Sequence, residues 1–348
     1  MKILLFADLH MCPRASIINK WGTKYPSRLE NCIESVNWLE RKAEELDCDY
    51  IVSLGDFFDK PDLTSDTITA CNEIKWSKIK HYSIVGNHDA STSSLEFNSV
   101  NSLITTNHQI ITEPMILFLD DCDICFLPYV VECDRKPIDQ YFVDKNSKPC
   151  ATGKPRIILS HNDISGIQLG PVVSKTGFSV DEIETNCDLF INGHLHNGQA
   201  ITDKIINLGN LTGKDFGENA FKHAHSVAVL DTNTLTLEYI ENPYAYNFYK
   251  FQIESEQDLR VFNTLKNNAV LSIKCEQSLI DKTKQTLEDF SDKIVESRII
   301  TVRNYDNSTV ETAELDLSVD HLARFIECCK TSIENSKILE EELAEICK

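Results

Sequence analysis

The chain has 348 residues, 42% hydrophobic and 25% charged, an ordinary globular profile with room for one large domain and a smaller one. Its net charge of −20 excludes a protein that coats nucleic acid at large, because polyanion binding needs positive surface. No apolar run reaches the length of a membrane span, and thirteen scattered cysteines, many at apolar periodic positions like Cys32 and Cys71, read as small core hydrophobes of a reducing compartment.

The chain opens on an apolar run, Lys2–Ala7, which Asp8 and His10 interrupt too early for a signal peptide. No small-residue cleavage site follows, so the run is read as a strand and the protein is expected in the cytoplasm. Residues 9–29 contain no acid and carry Arg14, Lys20, Lys24 and Arg28, with Trp21 and Tyr25 among them. Such a window reads either as ordinary loops or as a local landing surface for phosphates. From Ser27 to Leu46, apolar residues at Leu29, Cys32, Ile33, Val36, Leu39, Ala43 and Leu46 keep helical spacing, with Pro26-Ser27 as the start. Tyr50–Leu54 is a strand that runs into Gly55-Asp56. A second helix is expected over Ser65 to Lys78, then a strand, Tyr82–Val85, that runs into Gly86-Asn87-His88-Asp89.

Short strands follow at Ile110–Thr112, Met115–Leu119 and Ile124–Leu127. Cys122-x-x-Cys125 lacks a second pair at zinc-site spacing and sits in strand-like surroundings, so it is read as structural. Residues 145–162 again lack acid and carry Lys145, Lys148, Lys154 and Arg156. The strand Arg156–Leu159 ends on Ser160-His161-Asn162, and Asp188–Asn192 ends on Gly193-His194-Leu195-His196. Strands continue through Ile205–Leu208, Ser226–Leu230 and Leu235–Ile240, which together describe an α/β sandwich with mixed sheets. The segment Gly209 to Lys214 is not a phosphate-cradling loop. It has three residues between its glycines instead of four, and Asp215 stands where Ser or Thr is required, so no ATP site is expected.

The character changes near Asn242-Pro243. A strand (Ala269–Cys275), a helix (Ser278–Phe290) and a strand (Ser297–Arg303) make a small β-α-β unit, followed by the polar stretch Asn304–Ser308. Two amphipathic helices, roughly Val319–Ile333 and Lys337–Cys347, close the chain. The expected division is therefore residues 1–245, 246–310 and 311–348. A terminal helical pair either packs on its own domain or docks on a partner.

Five segments share one chemistry: Asp8-Leu9-His10, Gly55-Asp56, Gly86-Asn87-His88-Asp89, Ser160-His161-Asn162 and Gly193-His194-Leu195-His196. Each follows a strand. Buried Asp, Asn and His at successive strand ends are costly unless a shared ion satisfies them. Imidazole and carboxylate together suit Mn²⁺, Fe²⁺ or Zn²⁺ better than Ca²⁺.

The order of these segments resembles the calcineurin-like metallophosphoesterase superfamily over residues 1 to about 215. That resemblance implies a β-sandwich flanked by helices, in four α/β/β/α layers. It implies that Asp8, His10 and His196 hold one metal, that Asn87, His161 and His194 hold a second, and that Asp56 bridges both. His88 would be a general acid above the pair, oriented by the carboxylate of Asp59, with Asp89 as the local alternative. The implied cofactors are two divalent ions, Mn²⁺ first, with Fe²⁺ or Zn²⁺ as alternatives.

Other branches are disfavoured. Purple acid phosphatases need Tyr where Asp59 stands, and phosphoprotein phosphatases need Arg where Lys60 stands. Gly55-Asp56-Phe57-Phe58-Asp59, Leu127-Pro128-Tyr129, Ile205 to Asn210, Ser226–Asp231 and Glu241-Asn242-Pro243 are similar to the SbcD-type nuclease subunit. The compact length resembles phage-encoded members, which would place the protein in a host cytoplasm. The likeness implies an exonuclease and single-strand endonuclease acting on DNA in repair, recombination or replication. It also implies that the β-α-β unit is a capping domain, that the terminal helical hairpin docks on an SbcC-type SMC-like ATPase, and that the protein is a homodimer. The alternatives are a small-nucleotide phosphodiesterase or phosphatase, and a scaffold with a degenerate site, which the complete ligand set argues against.

Overall fold

In the computed structural model, which describes residues 1–302 save 93, 104–106, 144–151, 170–171 and 219, the first strand is buried on both faces. Along β1 (Lys2–Phe6), Ile3 and Leu5 enter one apolar cluster while Leu4 and Phe6 enter another. A strand of this kind belongs in the middle of layers. It runs parallel to β2 (Tyr50–Ser53), which is followed by β3 (Lys80–Ile84) and β4 (His108–Ile111), all parallel. On its other side lie β15 (Ser226–Asp231) and β16 (Thr236–Glu241), antiparallel, giving a six-stranded sheet in the order β16-β15-β1-β2-β3-β4.

The second sheet comprises β5 (Met115–Phe118), β6 (Asp123–Leu127), β7 (Arg156–Ser160), β12 (Leu189–Asn192), β13 (Gln199–Ala200) and β14 (Ile205–Asn207). Its order is β13-β14-β12-β7-β6-β5, with the four inner strands parallel and both edges antiparallel. Four two-residue strands, β8 (Ile164–Ser165), β9 (Gln168–Leu169), β10 (Val172–Val173) and β11 (Phe178–Ser179), fall between β7 and β12 in the chain.

Alternation along the strands sorts the core into layers. Ile3, Leu5, Val52 and Ile84 of one sheet meet Phe126, Leu159 and Ile191 of the other. Leu4, Phe6 and Ile51 face outward onto Leu29, Val36 and Leu39 of α1 (Ser27–Glu45). Leu127, Ile158 and Phe190 face outward onto Ile183 of α3 (Val180–Asn186). Four layers, α/β/β/α, follow directly. Cys122 joins the inter-sheet core and Cys125 the outer one, so the two thiols lie on opposite sides of their sheet and cannot share an ion.

The helix expected over Ser65 to Lys78 is shorter, α2 (Ser65–Cys71). Asn37 Oδ1 accepts the Lys75 N–H (2.7 Å) and Glu40 Oε2 accepts that of Ser77 (3.1 Å). Side chains of α1 thus capture donors that a continuing helix would satisfy internally.

The small unit after residue 246 is one strand larger than expected. β17 (Asn247–Ile253), β18 (Ala269–Glu276) and β19 (Ile294–Val302) form a parallel sheet in that order. The expected helix is a 3-10 turn, Gln277–Leu279, followed by α4 (Ile280–Glu288). Residues Met1–Val302 group as one unit. The expected loop Asn304–Ser308 and both terminal helices lie outside the described residues. No helix among the described residues is long and apolar enough to cross a membrane.

Candidate metal centre

All five ligand-bearing segments leave the C-terminal ends of parallel strands. Asp8 and His10 follow β1, Asp56 follows β2, Asn87 and His88 follow β3, His161 follows β7, and His194 and His196 follow β12. The carboxyl edge of parallel strands is where such folds build sites. The turns are sharp. Asp8 (φ 51°), His10 (46°), Asp56 (50°) and His194 (76°) all occupy the left-handed region, at a cost on the order of 1 kcal/mol or more each. Glycine is demanded where segments touch. A Cβ on Gly55 (φ 98°) would lie 2.3 Å from His161 Nδ1, and one on Gly86 would lie 2.1 Å from Asp56 Oδ1.

Ligand atoms converge in overlapping groups. Asp8, His10 and His196 offer atoms within 4.8 Å of one another, as do Asp56, His161 and His194, and also His10, Asp56 and His88. His10 Nε2 faces His196 Nε2 at 2.9 Å. Asn87 Oδ1 is 3.1 Å from His161 Nε2 and 3.0 Å from His194 Nδ1. Asp56 Oδ2 stands between the groups, 3.2 Å from His161 Nε2 and 3.7 Å from His10 Nε2. Every residue that the sequence nominates as a metal ligand is thus drawn to one place, with Asp56 grouped with His161 and His194 and 3.7 Å from His10 of the other group.

The outer ring nitrogens determine what the inner ones offer. His161 Nδ1 donates to the Leu54 carbonyl (2.6 Å) and His194 Nε2 to the Asp163 carboxylate (3.1 Å). His10 Nδ1 faces Asp59 Oδ1, and His196 Nδ1 faces Glu218 Oε1, each at 3.5 Å. With protons on these outer nitrogens, four inner lone pairs converge with Asn87 Oδ1 and the carboxylates of Asp8 and Asp56. Those of His10 and His196 would meet head-on at 2.9 Å. The Asp8 carboxylate accepts the His194 N–H (3.0 Å) and Asp56 Oδ1 that of His88 (2.9 Å), but these donors leave the facing Nε2 atoms of His10 and His196 unmatched, a repulsion that a cation resolves, so the residues present fit a pair of divalent ions.

Burial pushes the His10 imidazole down to about 4, keeping it neutral as a ligand must be. Burial acts the same way on His161, but the Asp56 carboxylate overcomes it and lifts that ring to about 9. The same contact holds Asp56 below the usual carboxylate range in spite of its burial.

His88 borders both groups. Its ring stands edge-on to that of His10 with centroids 4.8 Å apart, and its main-chain N–H donates to Asp56 Oδ1 (2.9 Å). Its Nδ1 donates to the main-chain carbonyl of Asp59 (2.9 Å). Neither expected carboxylate orients it. The Asp59 carboxylate turns instead to Lys214 Nζ (2.5 Å) and His10. Asp89 is fully buried and accepts the N–H groups of Gly86 (3.1 Å) and Phe58 (2.9 Å), which ties two motif turns together. Burial and the neighbouring Asp56 push its carboxyl up to about 7.

Three residues of the site are not among the nominated ones. Asp163 stands two residues after His161, on the same segment, and that proximity was the available signal. Glu218 is buried, accepts from the Lys214 N–H (3.0 and 3.1 Å) and from Asn210 Nδ2 (2.6 Å), and faces His196. Lys214 belongs to the glycine-bounded segment that fails as a phosphate loop; its ammonium serves Asp59. Asn162 is structural, since its N–H donates to Asn192 Oδ1 (3.0 Å) and its carbonyl accepts from Asn192 Nδ2 (2.9 Å).

Among the described residues of the acid-free windows, most of the cations are engaged by protein groups. Arg28 is fully buried and donates to the carbonyls of Leu9 (2.9 Å) and Gly213 (3.0 Å), clamping two site loops. Lys24 pairs with Glu73 (2.6 Å) and Lys20 with Glu296 (3.2 Å), while Arg14 stays exposed. Lys154 donates to the Leu119 carbonyl (2.6 Å), and Lys145 and Lys148 lie outside the described residues.

The family model for calcineurin-like phosphoesterases matches residues 1–198, and the chain belongs to that family. It is therefore a metal-dependent phosphoesterase, a hydrolase by class. No curated protein matches the chain. Among solved structures it is similar to a Thermus thermophilus protein at 13% identity, with a TM-score of 0.39 over 69% of this chain and 98% of that one. It is likewise similar to a dimetal phosphatase from Danio rerio at 14% identity, with a TM-score of 0.40 over 66% of this chain and 91% of that one.

Proposed function

We propose that this phosphoesterase hydrolyses phosphodiesters of DNA, as an SbcD-like exonuclease and single-strand endonuclease subunit. The observation that carries the chemistry is the adjacency of two ligand groups, Asp8 with His10 and His196 and Asp56 with His161 and His194, joined where Asp56 lies 3.7 Å from His10 and where His88 groups with both of these. Divalent ions, Mn²⁺ first, held by Asp8, His10 and His196 and by Asn87, His161 and His194, with Asp56 between, would supply an activated water and offset charge on the phosphoryl oxygens.

The chain's own groups do the rest. His88 keeps a proton on Nδ1 because a carbonyl can only accept, so the ring is fixed and Nε2 is the atom that carries a second proton. That proton goes to the leaving oxygen, a task suited to an imidazole at neutral pH. Asp163 and the Leu54 carbonyl hold His194 and His161 in the ligating tautomer, while Asp59 and Glu218 lie 3.5 Å from the outer nitrogens of His10 and His196.

The choice of DNA rests on the likeness of the strand-end and post-site segments to SbcD-type subunits. Support comes from the three-stranded sheet. Phe248 of β17 and Val270 of β18 pack with Ala15 and Ile18, in the loop after His10, and with Phe216 beside Lys214. A small sheet seated on the loops that bear the site suits a substrate-positioning role. The acidic body leaves the DNA surface to be completed by a second copy and by an SbcC-type ATPase docked on residues 311–348, in the cytoplasm.

Purified protein with Mn²⁺, offered labelled single-stranded and duplex DNA beside cyclic nucleotides, dinucleotides and p-nitrophenyl phosphate, tests this reading. Strand cleavage supports it. Hydrolysis of the small esters alone would replace it with a small-nucleotide phosphodiesterase or a phosphatase.

A further inference from the structure

Strand β6 runs parallel to β7, so its carboxyl end lies on the same edge as the ligand-bearing segments, yet it delivers no ligand. It delivers Tyr129. Three hydrogen bonds fix the main chain around this residue. The Tyr129 N–H donates to the Val85 carbonyl (3.2 Å), just ahead of Gly86-Asn87-His88. On either side of Tyr129, the Asn162 side chain accepts the Val130 N–H (2.8 Å) and donates to the Pro128 carbonyl (3.0 Å). Tyr129 is thereby tied to the two segments that carry Asn87 and His161. Its ring stands against that of His194, a third member of the same ligand group, with centroids 6.2 Å apart and planes 34° from parallel.

The core does not use this ring. Among the described residues Tyr129 joins none of the apolar clusters, and it stays half-buried beside the centre. It also borders a cavity of about 580 Å³ whose lining includes Glu96, Glu113 and Asp134 and no Lys or Arg. Three carboxylates there repel a phosphate, so the uncharged base is the part of a nucleotide suited to this flank, not the phosphate chain.

We propose that Tyr129 is a specificity-determining residue, whose ring stacks the base of one of the two nucleotides flanking the cut linkage. The role rests on phosphodiester hydrolysis at the metal centre. A phosphate held by the ligand groups carries a sugar and base on each ester oxygen, and Tyr129 is the aromatic side chain set against a ligand imidazole there. Stacking on such a ring accepts any base, because every base has a π-face. A base that is already stacked and paired must first leave the duplex, which costs least in a single strand. The substrate class is therefore a phosphodiester flanked by an unpaired nucleotide, read by the presence of a base and not by its identity.

Labelled single-stranded oligonucleotides with an abasic nucleotide on one or the other side of the cut linkage test the role with the Mn²⁺-loaded full chain. In the native protein, base loss at one of the two positions should raise KM about tenfold. Tyr129→Leu should raise KM for the intact strand by a similar factor, and base loss at that position should then add nothing. Tyr129→Phe should keep the native KM and the native response, since the ring face stacks and the hydroxyl does not. Metal content should stay at two ions per chain in both variants. No penalty at either position in the native protein, penalties that multiply in Tyr129→Leu, a Tyr129→Phe as impaired as Tyr129→Leu, or lost metal would overturn the stacking role while leaving the phosphodiesterase reading intact. Uncut DNA beside monoester hydrolysis would overturn both.

Discussion

Lys214 Nζ lies 2.5 Å from Asp59 Oδ1, and that same oxygen faces His10 Nδ1 at 3.5 Å. The pair accounts for the orientation of His88. The ammonium and the imidazole both draw on Oδ1 and turn the carboxylate toward themselves, while the main-chain carbonyl of Asp59 receives His88 Nδ1 (2.9 Å). The same loop reaches the other imidazole of the first ligand group, because the Lys214 N–H binds Glu218 and Glu218 faces His196.

Replacing Lys214 with Met frees the Asp59 carboxylate and loosens His10. Affinity for one of the two ions should fall about 10- to 100-fold while the other is held as before, and Lys214→Arg should restore most of the loss. Calorimetric Mn²⁺ titration reads both steps. Equal weakening of both steps would contradict a role confined to His10.

Glu218→Gln keeps the shape but removes the charge facing His196. A similar loss of affinity at the first ligand group is expected, together with a stability loss of about 1–3 kcal/mol from the weakened acceptor for the Lys214 N–H and Asn210. Denaturant unfolding of the metal-free protein measures the second effect separately from the first. Unchanged metal binding would show that Glu218 is structural alone.

His88→Leu removes the proton donor without touching a ligand. Phosphodiester turnover should drop by about 10² to 10⁴ while metal content stays near two ions per chain. Lost metal, measured by elemental analysis, would contradict the assignment.

The metal-free protein should lose stability in acid. Burial pushes His108 down to about 3, His223 to about 4 and His225 to about 3. Each is neutral when folded and takes a proton when unfolded, so its contribution is full above the unfolded value of about 6.5 and declines as pH falls from there toward the folded value. At pH 5 the loss is at most about 2 kcal/mol for each. His161, lifted to about 9, acts in the opposite sense, since its contribution is full below about 6.5 and is lost as pH rises through 9. The three lowered imidazoles outweigh it, and Tm should be lower at pH 5 than at pH 7. A higher Tm at pH 5 would show that these rings are charged in the folded state.

The parts of the site that were legible in the sequence are those whose chemistry fixes residue identity at a strand end. Asp8, His10, Asp56, Asn87, His161, His194 and His196 each follow a strand directly, and that position is visible without a structure. The partners of the outer carboxylates were not legible in the same way, because Asp59, nominated to orient His88, faces His10 instead, and Glu218 reaches His196 through space. Arg28 looked like surface charge, yet its carbonyl partners Leu9 and Gly213 bury it, a fate that composition cannot register. The early end of α2 has the same origin, since Asn37 and Glu40 on α1 capture the N–H groups of Lys75 and Ser77. In β17, Phe248 and Tyr249 are both buried, on opposite faces, so the strand lacks the alternation that would have marked it.

Stepwise addition of Mn²⁺ to the metal-free chain, with labelled single-stranded and duplex DNA present, tests the central claim most directly. The account predicts strand cleavage that rises as the second equivalent binds and vanishes with chelator. Hydrolysis of cyclic nucleotides, dinucleotides or phosphomonoesters under the same titration, with the DNA left intact, would contradict it.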